Sequence, residues 1–426
     1  MRPNKILVQL MICLWIAGVA AAQTDSDVVD ANAASPAVSS DAAGRNTLTH
    51  GFWGLSDALA DYGIEVTLGV TNVYQANVAN GLDTHAKSGR LTGSYDLQIA
   101  ADLEKLAGLA GLGLFVHGEG GWPDAAGIDE TMVGSVFGVN ADAIGDRSLD
   151  IVETLLEWSL FDSRLTLMVG KMDFAGVFDA SAYANDETSQ FLNGALVNNP
   201  TIPLPDYCLG VIATVQVTDG WSVSAGAGDA QADGRETGFR TAFHGEDYFF
   251  YAVETAVRIE LNSSRGPLPG TTRLGVWYDP QPKACSDGES EYRDDTGFYA
   301  GVDQMLLKEN DDPQDGQGLG VFGRYGWADD RCNDICHFWS LGFQYQGLLP
   351  GRDDDVLGVG FAQGVFTDEA SAPFTVDAES VWELYYSLVA TEWAVISPGV
   401  QYVAHPGGDS AVGDAAIVGV RAQIAF

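Results

Sequence analysis

The chain has 426 residues, enough for two or three ordinary domains, yet it carries 21 basic against 59 acidic residues, a formal charge of −38. A polyphosphate would be repelled without a localised basic stripe, which argues against nucleic-acid partners. Only 19% of residues are charged while 46% are hydrophobic, and 51 glycines stand beside 10 Trp, 15 Tyr and 19 Phe. This composition excludes a highly charged disordered chain, disfavours a helix-rich enzyme, and suits an all-β protein.

Residues 1–22 read as a signal peptide. Arg2 and Lys5 supply the basic start, Ile6 to Val19 an apolar run too short for a spanning helix, and Ala20-Ala21-Ala22 a small-residue cleavage site. Residues 23–46 are rich in Ala, Ser, Asp and Val without large apolar side chains, the pattern of a flexible leader. Over 47–62, Phe52-Trp53-Gly54-Leu55 and Leu59 recur at helical spacing up to Tyr62-Gly63, predicting one short amphipathic helix stopped by glycine.

From residue 63 onward the pattern changes to runs of about ten residues with period-2 alternation. In the last run Val418, Val420, Ala422, Ile424 and Phe426 share one face, and Gly419, Arg421, Gln423 and Ala425 the other. The same reading sets Leu97, Ile99, Ala101 and Leu103 against Asp96, Gln98, Ala100 and Asp102, and Val257, Ile259 and Leu261 against Glu254, Arg258 and Glu260. Such runs occur at 63–76, 94–104, 111–122, 151–162, 165–174, 209–218, 220–229, 248–262, 270–280, 296–307, 317–328, 335–347, 355–365, 380–389, 394–403 and 412–426. Sixteen is an even number. Tight connections such as Asp162-Ser163-Arg164 and Thr218-Asp219-Gly220 alternate with long ones, of which Ala175 to Cys208 is an example.

That is the plan of a sixteen-stranded antiparallel transmembrane β-barrel over 63–426, preceded by a short periplasmic helix. Polar residues on one face of every strand cannot be buried dry, so water must fill the interior. Closure of sixteen strands leaves a channel and removes the edges that lipid could not satisfy. Trp158, Trp339, Trp382, Tyr345, Tyr386 and Tyr402 are expected outside, as interfacial girdles. Cys13 leaves with the signal peptide, so four cysteines reach an oxidising compartment, where three pairings are open. The pairing expected is Cys332 with Cys336, close together in one loop, and Cys208 with Cys285. No second ligand pair accompanies Cys332 and Cys336, so no metal site is expected, and no motif implies a cofactor.

The segment from about Thr49 to the C-terminus resembles the carbohydrate-selective, OprB-type porins of bacterial outer membranes. The resemblance rests on Trp53-Gly54 before a short helix, Gly63-Ile64-Glu65-Val66 opening the first strand, and Asp102-Leu103-Glu104-Lys105-Leu106 closing the second. Val169-Gly170-Lys171 before the long loop and Gly399-Val400-Gln401-Tyr402 complete it. The chain departs from the family's pattern at Leu55, where a second glycine is common, and at Lys171, where arginine is usual. The resemblance implies a barrel in outer-membrane lipid, a homotrimer, and sugars admitted by passive diffusion.

A sugar-passing pore needs hydrogen-bonding groups that replace water on hydroxyls and aromatic faces for the apolar side of the ring, all binding weakly enough for transit. By phase, the lumen side includes Asp96, Gln98, His117, Glu119, Glu254, Arg258, Arg273, Trp277, Asp303, Arg324 and Arg421. Glu119, Arg258, Arg273 and Arg324 are expected at the constriction, with Trp277 as a stacking platform. The arginines could equally brace the wall as ion pairs. The loop from Ala175 to Cys208, with Asn198-Asn199-Pro200 and Pro203-Leu204-Pro205, is expected to fold inward and narrow the channel. Three other readings remain open: a general cation-preferring pore, if the acidity faces the lumen; an outer-membrane hydrolase; and a plugged scaffold barrel. The hydrolase would need a Ser or Asp beside a histidine, and no such set is apparent.

Overall fold

A computed structural model describes residues 47–84, 89–123, 127–285, 290–312, 315–368 and 372–426. The expected signal peptide and leader lie outside these residues. Sixteen strands form one closed antiparallel barrel: β1 (Ile64–Gly81), β2 (Gly89–Asp102), β3 (Leu112–Pro123), β4 (Arg147–Leu160), β5 (Leu165–Met172), β6 (Cys208–Thr218), β7 (Trp221–Asp229) and β8 (Phe249–Ser263) make the first half. The second half is β9 (Gly266–Asp279), β10 (Asp295–Lys308), β11 (Gly318–Ala328), β12 (Ile335–Gln346), β13 (Val356–Phe366), β14 (Ala378–Thr391), β15 (Ala394–Ala404) and β16 (Gly413–Ala425). Each strand pairs with its sequence neighbours, and β1 closes the ring by pairing β16, Gly69 opposite Ala425 and Thr71 opposite Gln423. Closure leaves no strand edge unpaired, the condition for a sheet in hydrocarbon.

Alternation sets the two faces as the sequence requires. Val418 and Val420 stand on the outside while Arg421, the next residue, is 1% exposed. Val169, Val211, Val253, Val276, Val302, Leu341, Leu384 and Val400 continue the apolar outer belt. Trp158, Trp382 and Tyr402 lie exposed on that same face, and Trp382 packs between Phe361 and Tyr402. Tyr386 also faces outward, its hydroxyl donating to Asp355 Oδ2 at 2.6 Å.

Connections at the end holding the C-terminus are short. Phe161, Asp162 and Ser163 turn from β4 to β5 through three left-handed residues. Asp102 ends β2 and caps a helical turn, α1 (Leu103–Ala107), by accepting from the Glu104 and Lys105 amides; Gly108 closes it at φ 72°. The N-terminal segment departs from expectation. Gly51 to Gly54 are left-handed, and only the residues after them run as a right-handed helix to Ala60. That reversal rotates Phe52 and Trp53 off the Leu55–Leu59 face, so no residue of the segment is buried and Trp53 stands 85% exposed.

The interior also differs from a purely aqueous lumen. Residues 127–146 and 173–207, in the β3–β4 and β5–β6 connections, turn inward and carry apolar side chains against the wall. Phe174 and Phe178 pack with Phe250, Trp277 and Tyr299, while Ile128, Met132, Val133 and Val139 pack with Val381, Val403 and Ile417. Phe191 and Leu196 join Phe322, Phe338 and Tyr385. The core of the molecule therefore sits inside the barrel, between wall and loops. Lumen-facing glycines make room for it: a β-carbon on Gly326 would lie 2.0 Å from Thr201 Oγ1, and one on Gly320 would lie 2.1 Å from the Tyr183 ring.

Candidate functional site

The β5–β6 loop crosses to the far wall, and buried wall carboxylates accept its backbone amides all along the path. Glu153 of β4 accepts from Asp173 N at 3.0 Å, Glu254 of β8 from Asp179 N at 2.8 Å, and Asp303 of β10 from Ala182 N at 3.2 Å. Glu383 of β14 holds both Leu192 N and Asn193 N, one on each oxygen, at 2.8 Å. These two amides open the helical turn α2 (Gly194–Val197), whose cap is Asn193. At the other end of α2, Arg324 Nη1 donates to the carbonyls of Leu196 and Val197 at 3.2 and 3.0 Å, and Nη2 donates to Ala184 O. The turn is thus held with an acid at its amide end and a base at its carbonyl end, the order its dipole favours.

The β3–β4 loop is tied to the same assembly. Gln75 and Gln401 both donate to Val139 O at 2.9 Å, Ser94 donates to Asp142 Oδ1 at 2.6 Å, and Glu379 accepts from Val136 N at 3.1 Å. The two loops join through Ala141 N to Leu192 O at 2.8 Å and Gly194 N to Gly138 O at 3.0 Å. Two loops, not one, therefore narrow the lumen. The second was not singled out in the sequence, although Met132-Val133 and Val136-Phe137-Gly138-Val139 are apolar for a connection between strands.

Between loops and wall lies a ring of charged groups. His117 bridges two carboxylates, with Nε2 2.9 Å from Asp96 Oδ1 and Nδ1 3.2 Å from Glu153 Oε2. Glu119 lies 3.6 Å from Arg147, and its Oε2 has no hydrogen-bond partner among the described residues. Asp142 Oδ2 is likewise unpartnered. Arg421 donates from Nη1 to Glu187 O at 2.8 Å, and its Nε and Nη2 make no hydrogen bond among the described residues. In the loops, burial and the neighbouring Asp186 and Asp142 push the Glu187 carboxyl up to about 8. Burial raises Asp142 to about 7 against the lowering effect of Ser94's hydrogen bond, with Asp96 adding to the rise. Burial lifts Asp179 to about 6 despite Arg324 and Arg273. A deep polar ring of donors and acceptors within a closed barrel is the form of a solute constriction.

Residues 86–426 match the family model described as "Carbohydrate-selective porin, OprB family". The chain belongs to the carbohydrate-selective porins. It is 24% identical to Porin B of Pseudomonas aeruginosa, over 88% of this chain and 90% of that one. A structure of Pseudomonas putida OprB at high pH aligns with a TM-score of 0.76 at 19% identity, covering 90% of this chain and 99% of that one; its low-pH structure gives 0.58 at 17%, covering 89% and 98%. This porin is thus a sugar-selective outer-membrane channel protein, as the family resemblance implies.

Several expected site residues take other positions. Trp277 is no stacking platform: it is 3% exposed, stacked on Phe250 at 6.3 Å and enclosed with Phe174 and Tyr299, because the loop covers it. Arg324 faces inward but its guanidinium is spent on loop carbonyls. Arg273 pairs with Asp303 at 2.5 Å, and Asp303 also accepts from Ser181 Oγ at 2.6 Å, so this pair braces the wall. Glu254 is bound by Asp179 N and by Tyr299 OH at 2.9 Å. Arg258 is exposed on the lumen phase of β8, five residues before Ser263 at the strand's end, and so lies away from the loop assembly. Asp96, His117, Glu119 and Arg421 do come together around the loops, and Gln98 sits opposite His117 in the β2–β3 register.

Cys208, Cys285, Cys332 and Cys336 are all thiols in this structure, so neither expected disulfide is formed in it. Cys336 is directed at the β13 carbonyls of Val365 and Phe366, and Cys332 toward Asn333, on the side of β10. Cys208 is packed under Phe174 beside Gly228, far along the wall from the connection that carries Cys285. Lys171 lies at the loop end of β5, where Nζ donates to Ile151 O and Gly234 O at 3.0 and 2.6 Å.

Proposed function

We propose that this porin passes monosaccharides and other small neutral solutes by passive diffusion, with Asp96, Glu119, Asp142, Glu187 and Arg421 as the rim on which hydroxyls exchange water for protein. The observation that carries this reading is the set of buried polar atoms in the ring that accept or donate no hydrogen bond among the described residues, Glu119 Oε2, Asp142 Oδ2 and Arg421 Nε and Nη2. A polyol hydroxyl both donates and accepts, so it can use acid and guanidinium together, each weakly enough to release. Arg273 and Arg324 act as braces that set the opening, and the protein works as a channel rather than an enzyme. The mature chain starts after residue 22 and inserts in outer-membrane lipid as a homotrimer.

Planar-bilayer conductance of the refolded protein, titrated with glucose and then with a dicarboxylate, tests this. Saturable block by glucose in channels that discriminate weakly between ions is the expected result. Four carboxylates in the ring favour a second reading, a general cation-preferring pore. It predicts steps that ignore glucose and a strong cation preference. A folded protein that gives no steps would refute both.

A further inference from the structure

The connection between β9 and β10 contains a small hairpin in which Lys283 pairs with Tyr292 and Ala284 with Glu291. Cys285 N donates to Ser290 O at 2.8 Å, so the hairpin continues through Cys285. Residues paired across two strands project to the same face, and so do residues two apart along one strand. Lys283, Tyr292 and Cys285 therefore share a face. Lys283 reaches Asp295 at 2.6 Å, and Asn333 Nδ2 lies 3.1 Å from both oxygens of that carboxylate. The Arg331 guanidinium lies over the Tyr292 ring at 3.9 Å and donates to its hydroxyl. Both neighbours of Cys332 are thus engaged from the face that carries Cys285, and the Cys332 Sγ lies 3.6 Å from Asn333 Nδ2.

We propose that Cys285 and Cys332, thiols in this structure, are oxidised to a disulfide that joins the β9–β10 and β11–β12 connections across the adjacent strands β10 and β11. Both cysteines are half-buried at the rim, whereas Cys208 and Cys336 are buried in the wall and directed elsewhere. The protein is exported to an oxidising compartment, where such pairs form and persist. Two thiols lose two protons and two electrons to an oxidised protein disulfide of the exchange type, through a mixed disulfide. The carrier is left as a dithiol and the porin with one new S–S bond. The crosslink fixes the mouth of the channel above the constriction and goes beyond the proposed solute reading.

Protein extracted from outer membranes is alkylated without reduction, then digested with trypsin and an aspartate-specific protease, which cuts before Asp334 and so separates Cys332 from Cys336. Mass spectrometry is expected to find the Cys285 peptide linked to the Cys332 peptide, and the link to vanish on reduction. The link persists in Cys336→Ser and is lost in Cys332→Ser. Alkylated Cys285 and Cys332 in the unreduced wild type, or a link from either to Cys336 or Cys208, would overturn the proposal. The wild-type map needs no variant, so a folding failure in a variant does not blur the outcome.

Discussion

Replacing Glu383 by Ala should free the constriction loop while leaving the barrel closed. The carboxylate is 3% exposed and accepts the Leu192 and Asn193 amides at 2.8 Å each. Hydrogen bonds to a charged group are worth about 1.5–3 kcal/mol each, so losing both costs roughly 3–6 kcal/mol, with two amides left unpaired. At about 1.4 kcal/mol per tenfold change, loop opening becomes about 10²- to 10⁴-fold more favourable. Glu383→Gln keeps one acceptor oxygen and turns a carboxamide NH2, a donor, toward the second N–H, so its loss should be roughly half as large. The strand itself is not at risk, because Glu383 pairs through backbone with Gly360 and Gln401 irrespective of its side chain. Amide hydrogen exchange at residues 192 and 193 should rise in the order wild type, Gln, Ala, with single-channel current noise rising in parallel. Unchanged protection at these two amides in Glu383→Ala would refute the idea that the wall carboxylate holds the loop.

Further outcomes follow from the same geometry. Arg324→Ala removes the donors to Ala184, Leu196 and Val197, so conductance should increase and glucose block weaken; Arg324→Lys, without the planar fork, should recover only part of the block. Gly326→Leu would drive a β-carbon to within 2.0 Å of Thr201 Oγ1, so the loop should shift and become protease-sensitive while the heat-modifiable migration of the folded barrel is retained. Glu187, raised from 4.5 to about 8, binds its proton more tightly in the folded loop than in an unfolded chain. Its contribution to loop order is therefore complete below about pH 4.5 and lost as pH rises through about 8. Reversal potentials in a salt gradient should show cation preference increasing from pH 6 to pH 9, and Glu187→Gln should flatten that rise.

The strand plan was legible because a sheet between lipid and lumen must alternate. All sixteen runs overlap a strand, and Arg421 lies inward next to the outward Val420, as alternation requires. Phase assigns Glu254, Asp303, Arg273 and Arg324 to the inner face, where Glu254 and Asp303 meet loop amides and Arg324 loop carbonyls. It could not say what they would meet there, since the partners are amides and carbonyls of a loop more than 70 residues away from Glu254 in the chain. The same gap misassigned Trp277. An inward tryptophan is a stacking platform only if nothing covers it, and here Phe174 and Phe178 do. One signal was present and unread: inward glycines such as Gly320 and Gly326 in the wall mark where a loop backbone or ring approaches, because any side chain would collide. The cysteines were misread for a related reason. Proximity in sequence between Cys332 and Cys336 says little when one lies before the strand and the other within it, facing a different neighbour.

The formal charge of −38 suggests a strongly cation-selective pore, yet the disposition of the acids argues for less. Glu153, Glu254, Asp303, Glu379 and Glu383 face the lumen, but each is occupied by a backbone amide of an inward segment, and Asp303 is also paired with Arg273. A carboxylate enclosed in this way shapes the opening without presenting a free charge to the solute. The acids that remain at the proposed rim stand beside Arg147, Arg421 and His117, and two of them titrate in the neutral range. An ion crossing such a ring finds one sign of charge to attract it and the other close by to oppose it. A neutral polyol meets both as hydrogen-bonding partners, and its advantage grows where the loops exclude bulk water. Selection for sugars over ions then arises from using most of the acidity to hold the loops, with the remainder balanced by guanidinium groups.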